Sequence, residues 1–132
     1  MSALDLIAKG RAAAEAIMLD TCTIRRRAGE TTDLDTGEVT PVYTTILTGQ
    51  KCKVQTRGAW GEPRDIGEAA KVVLAFEVHL PVSVTGLETR DEITIDTATS
   101  DPELVGRTFR IKDLAYKSLA TARRFLCQEV TG

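Results

Sequence analysis

His79 is the only histidine in the chain and stands two residues from Glu77, so imidazole–carboxylate chemistry is the first reading to weigh. Both fall within an alternating run, on the polar side of a strand, which predicts a surface histidine rather than a base in a cleft. Cys22, Cys52 and Cys127 occupy inward or mixed strand positions, and no CxxC pair exists. A nucleophilic thiolate needs a base, and only His79 could supply one, so the three thiols read as small apolar fillers. Asp33, Asp35 and Glu38 have the composition of a calcium loop without its ligand spacing, and read as a solvated turn. Neither a GxGxxG run nor a glycine–lysine phosphate loop occurs. The expectation is a protein with no catalytic, cofactor-binding or metal-binding residues, and not an enzyme.

Two basic runs stand out, Arg25-Arg26-Arg27 and Arg123-Arg124. In a strand, consecutive arginines project to opposite faces, so neither run makes one basic stripe. Arg26 would point inward unless the strand ends or bulges there. Strand-end charge that discourages edge pairing is one reading. The other makes these five candidate interface charges, bridging subunits or touching DNA inside a ring.

The chain has 132 residues, enough for one core plus appendages. Seventeen Lys and Arg oppose nineteen Asp and Glu, a net charge of −2, so no general attraction to polyanions exists. Aromatic residues are 5% against 42% hydrophobic overall, which predicts an aliphatic core. No window is apolar enough to span a bilayer, and the N-terminus lacks the pattern of a secretion signal. Three widely spaced cysteines argue against a disulfide framework and for a reducing compartment.

Residues 1–19 read as a helix with Ser2 as N-cap and Asp5 closing a capping box. Leu6, Ile7, Gly10, Ala13, Ala14 and Ile17 fall on one face, a candidate subunit-contact surface or a seat on the chain's own domain. Residues 20–132 read as a single domain of about six short strands. Cys22 and Ile24 alternate in the first, and a polar turn covers 31–38. A strand over 39–47, a break at Gly49 and another strand over 51–55 follow. Val72 to Leu80, Ile93 and Ile95, Phe109 and Ile111, and Phe125 and Cys127 supply the rest. Between them, residues 56–70 hold three Gly and one Pro, a composition against both helix and sheet. Arg57, Gly58, Trp60, Glu62, Pro63, Arg64, Asp65 and Ile66 form a candidate partner-contact loop, because a short loop cannot bury Trp60 by itself. The expected fold class is mainly β: a small antiparallel β-barrel or sandwich with one N-terminal α-helix.

The order of these pieces resembles the head–tail connector proteins of long-tailed bacteriophages, in particular the head-completion or stopper proteins, in an actinophage-type version. The strand CTIRRR and turn TTDLDTGEV lead; KCKVQ, a glycine-rich loop, VVLAFEVHLPV, DEITID, GRTFRIKDL and RRFLCQEV follow, covering roughly residues 20 to 130. The resemblance implies a structural virion protein made in the host cytoplasm and residing in the neck. It would form a ring of its own copies, sixfold ahead of twelvefold, that closes the portal channel after DNA packaging. Its implied partners are the adaptor and portal on the head side, the tail terminator and tail tube on the other, and packaged DNA in the channel; no membrane is involved. The 56–70 loop would be the plug. A tail terminator or other neck ring protein is the alternative within that class, and a small β-barrel module binding nucleic acid or peptide is the alternative outside it.

Overall fold

Ser2 opens the helix as its sequence predicts. In the computed structural model, which describes residues 2–59, 64–66, 69–71 and 74–130, helix α1 spans Ala3–Ala16. Asp5 N–H donates to Ser2 Oγ (3.2 Å) and Ser2 N–H donates to Asp5 Oδ2 (3.1 Å), a reciprocal cap that contributes about 1 kcal/mol. The expected six-residue stripe divides in two. Ile7, Gly10 and Ala14 are half-buried, whereas Ala13 is exposed and Leu6 and Ile17 are 57% and 55% exposed. No residue of α1 is fully buried. Gly10 has a reason to be glycine: a Cβ there would lie 2.9 Å from Thr121 Cγ2.

After Met18, which is buried, the chain enters β1 (Asp20–Thr32), whose burial alternates through Ile24 as the period-two pattern predicts. β2 (Val39–Ala59) is one strand of 21 residues, not two separated at Gly49. Cys22 pairs with Gln50 and Ile24 with Leu47, so one extra residue is accommodated on β2 as a bulge. Gly49 supplies the positive φ (61°) within it, which keeps the ladder going where the sequence reads as a stop.

β5 (Leu74–Leu80), β6 (Glu92–Thr97), β7 (Thr108–Leu114) and β8 (Arg123–Val130) complete the sheet. All pairings are antiparallel, and the order β1-β2-β5-β8-β7-β6 returns to β1, so the strands form a closed ring. The expected fold class is the one observed. Closure removes sheet edges that an open six-stranded sheet would present.

The ring's interior is aliphatic. Ile24, Val78, Leu80, Ile93, Ile95 and Ile111 are fully buried with the thiols of Cys22 and Cys52. Phe109 is the largest fully buried side chain, and its ring lies 5.1 Å from that of Phe76, tilted by 54°. Val84 and Leu87, from the connection between β5 and β6, join the same cluster.

The 56–70 segment differs from its expected irregularity. Arg57 and Gly58 belong to the end of β2, and Arg64, Asp65 and Ile66 form β3 (Arg64–Ile66), paired with β4 (Ala69–Lys71) in a separate two-stranded sheet. Backbone pairing outweighs the glycine content here, because a two-stranded ladder needs only short extended stretches. Trp60, Glu62 and Pro63 lie outside the described residues.

Replacing Phe109 by Ala removes the largest interior side chain, and the cost expected is about 3–5 kcal/mol. Urea unfolding reads it, and a loss under about 1 kcal/mol would show that Phe109 is not central to the interior.

Candidate functional site

β1 belongs to the ring only as far as Arg25. Its pairing with β6 covers Thr21 to Arg25, whereas its pairing with β2 continues to Thr32 opposite Val39. Residues 26–44 therefore leave the ring as a two-stranded arm. Its tip is ordered by short contacts. Asp33 N–H donates to Glu38 O (2.8 Å), Gly37 N–H to Asp33 O (2.7 Å), and Asp35 N–H to Asp33 Oδ1 (2.9 Å). Gly37 takes φ 73° there, so the predicted turn and its glycine are both in place. Leu34, at the apex, is 95% exposed.

A half-buried ion pair holds the arm's root. Arg26 Nε and Nη2 donate to the two oxygens of Asp91, each at 2.9 Å, and Nη2 also donates to Gly86 O. Asp91 is 1% exposed, and its Oδ2 also accepts from Glu88 N–H at 2.8 Å. The register shift between Ile24 and Arg25 skips Ile46 on β2, and the bulge on β1 itself comes later, between Arg27 and Gly29, so Arg26 keeps the alternation of Cys22 and Ile24 and meets Asp91 instead of being turned away. Asp91 and the neighbouring Glu88 favour the charged guanidinium and raise its pKa further.

The other basic residues of the two runs separate. The Arg25 guanidinium lies 4.3 Å from the Tyr43 ring centroid, a cation–π contact, although its buried Nε finds no hydrogen-bond acceptor among the described residues. Glu92 lies beside the Tyr43 hydroxyl and raises its pKa. Arg27 pairs with Glu30 on the arm, and Arg123 Nε donates to Val82 O at 2.8 Å. Arg124 is exposed.

His79 corrects the surface reading. It does project from the outer face of β5, as alternation predicts, but it is buried there. Lys53 on β2 and Arg124 on β8 are its cross-strand partners. Ala14, Ile17 and Met18 come over it from one side and Thr121 and Ala122 from another, leaving a cavity of about 200 Å³. Sequence periodicity reports the face of a strand but not what lies on that face, and here the helix does. Among the described residues the His79 Nε2 has no hydrogen-bond partner, with Glu77 Oε2 at 3.6 Å. Burial lowers the imidazole pKa, Glu77 opposes that, and Arg124 and Lys53 reinforce it. Arg11 Nε, donating to Ala120 O at 3.0 Å, and Lys51 Nζ, 3.1 Å from Glu15, hold α1 in place.

The thiols lie where the sequence places them. Cys22, Cys52 and Cys127 are free and buried. Burial pushes Cys127 up to about 12, and a hydrogen bond with Cys22 together with burial pushes Cys52 up strongly, so neither is thiolate at neutral pH. Among the described residues no group of three or more His, Cys, Asp or Glu is placed to hold a metal ion, and no helix is long and apolar enough to cross a membrane.

The structure thus gathers two features that can meet a partner: the ordered arm tip, and the His79 cavity under α1. Ile17 and Ala14 reach the second, whereas Leu6 and Ala13 face solvent. Asp91, Glu92 and Tyr43 are contributors that alternation does not flag; the usable signal is an acidic pair directly before the alternating strand, opposite an arginine run. The model of a family described as "Family of unknown function (DUF6093)" matches residues 10–128. No curated protein and no solved structure matches the chain.

Asp91→Ala leaves Arg26 without its bidentate partner and is expected to lower the midpoint of urea unfolding. The double variant Arg26→Leu/Asp91→Leu recovers part of that loss; additive losses would show that the pair does not act as a unit. For His79, the folded pKa lies below the unfolded value of 6.5, so unfolding takes up a proton. Its contribution is therefore fully present above pH 6.5 and is lost as pH falls from there through the folded value. His79→Asn should flatten stability over that window relative to the unchanged chain, and parallel profiles would contradict the burial of the ring.

Proposed function

The chain belongs to this family of unknown function, DUF6093, and on the strength of its arm and its strand order we propose that it is a structural virion protein of a bacteriophage head-to-tail connector, the stopper ring that closes the portal channel after packaging and docks the tail. The observation that carries the reading is the arm at residues 26–44. It is a preformed element with an exposed apolar apex, rooted by a half-buried ion pair, and none of its residues belongs to the interior cluster of the ring of strands. Ordering a contact element before it meets its partner lowers the entropic cost of binding.

Support also comes from the order of strands and turns that resembles stopper proteins, with CTIRRR leading into the arm and RRFLCQEV closing the ring of strands. Small closed sheets of this kind suit ring assembly, since repeated contacts between identical copies multiply a modest interface. In this reading the chain resides in the neck, with the adaptor and portal on one side and the tail terminator and tail tube on the other. The segment around Arg57, Gly58 and Arg64 to Ile66 would serve as the plug.

Deleting the coding sequence from a phage that carries it tests the proposal. The expected particles are heads that package DNA, then lose it and lack tails, with rescue by the chain supplied from a plasmid. Tailed, infectious particles at the normal yield would remove the chain from the connector.

A further inference from the structure

The arm tip and the His79 cavity complement each other in charge and in shape. The tip offers one large apolar side chain, Leu34, among the carboxylates of Asp33, Asp35 and Glu38. The cavity offers an apolar wall from Ala14, Ile17, Met18 and Ala122, flanked by the cations Lys53 and Arg124. Glu77 is the one carboxylate among its lining residues, and it stands beside His79. Glu15, also on α1, is already engaged by Lys51. His79 itself brings a buried Nε2 without a hydrogen-bond partner, a polar atom that the present surroundings leave unsatisfied.

A chain cannot fill its own cavity with its own tip. Asp20 pairs with Cys52, next to Lys53 at the cavity, whereas Asp33 lies at the far end of the same ladder. From Asp20 to Asp33 is roughly 40 Å at 3.3 Å per residue. We propose that the arm tip of one copy docks in the His79 cavity of a second copy, with Leu34 against the apolar wall and Asp35 and Glu38 facing Lys53 and Arg124. The contact joins two different surfaces, so repetition yields a ring where the rotation closes and a filament where it does not. This inference rests on the ring reading above, for which it names the two mating surfaces.

Crosslinking between separately prepared copies tests it. Purified Leu34→Cys chain is mixed with purified Ile17→Cys chain and treated with a short bismaleimide; the three native thiols are buried. The expected result is a heterodimer band on mixing, absent when Val105→Cys, an exposed position elsewhere, replaces Ile17→Cys. Asp35→Lys/Glu38→Lys in the first chain should abolish the band, as should Lys53→Glu/Arg124→Glu in the second, and combining the two reversals should restore it. Asp33 is kept because its carboxylate orders the turn. Circular dichroism melting establishes that each variant is folded, and any that is not is replaced by its single substitutions. No band from folded partners, or a band indifferent to both reversals, overturns the docking. Native mass spectrometry separates the two readings: higher oligomers that persist through both reversals leave the ring and sink this contact, whereas monomers throughout sink the contact and leave the ring to the phage deletion.

Discussion

β1 has to do two incompatible things, and the pairing of Arg26 with Asp91 is what lets it. Up to Arg25 the strand must lie between β2 and β6, because that double pairing closes the ring. Beyond Arg25 it must part from β6 while keeping β2. A regular strand would continue its alternation and send Arg26 inward, where an unpaired guanidinium would cost several kcal/mol. β1 does keep its register there, its own bulge coming only after Arg27, and the Asp91 carboxylate at the start of β6 receives the guanidinium bidentately. The same carboxylate accepts Glu88 N–H, so one group ties together the departing strand, the β5–β6 connection and the start of β6.

The division of labour around the ring follows from that geometry. Everything that stabilises the interior comes from short alternating stretches of six strands and from Val84 and Leu87. The helix adds no buried residue. It lies on the outer face through Ile7, Gly10, Ala14 and polar ties at Arg11 and Glu15, and in doing so covers His79. A histidine on a polar face is thereby desolvated without entering the core. The imidazole's depressed basicity is a consequence of the helix being seated, not of the strand that carries it.

Much of this was legible in the residues, and the exceptions have physical causes. Alternation at Cys22 and Ile24, at Ile93 and Ile95, and at Phe109 and Ile111 identifies the inward positions because one face of each strand is buried and the period is fixed by the pleat. The Ser2–Asp5 cap is likewise local. Gly49 reads as an ending because positive φ is compatible with either a turn or a bulge, and only the partner strand decides which. The 56–70 composition hides β3 and β4 for the same reason. His79 and Asp91 were illegible because what buries each comes from elsewhere in the chain: residues 14–18 and 121–122 for one, Arg26 for the other. The stripe on α1 shows the converse limit, since periodicity puts Leu6, Ala13 and Ile17 on a face without saying how wide a surface that face meets.

What remains outside the ring of strands is consistent in kind. The arm spends ordered backbone and a half-buried ion pair on a tip whose Leu34 is 95% exposed, and α1 leaves Leu4 and Leu6 in solvent. Neither exposed set contributes to the interior of the ring of strands. Their retention makes sense if the free energy is recovered on contact, because a rigid tip and a preformed cavity lose little entropy when they meet. In the proposed contact between identical copies, such a pairing of unlike surfaces would propagate in one direction, so the curvature of the assembly would be set where the arm leaves the ring of strands. The pairing of Arg26 with Asp91 holds that departure, so the proposed contact would have its geometry controlled at the root of the arm rather than at its tip.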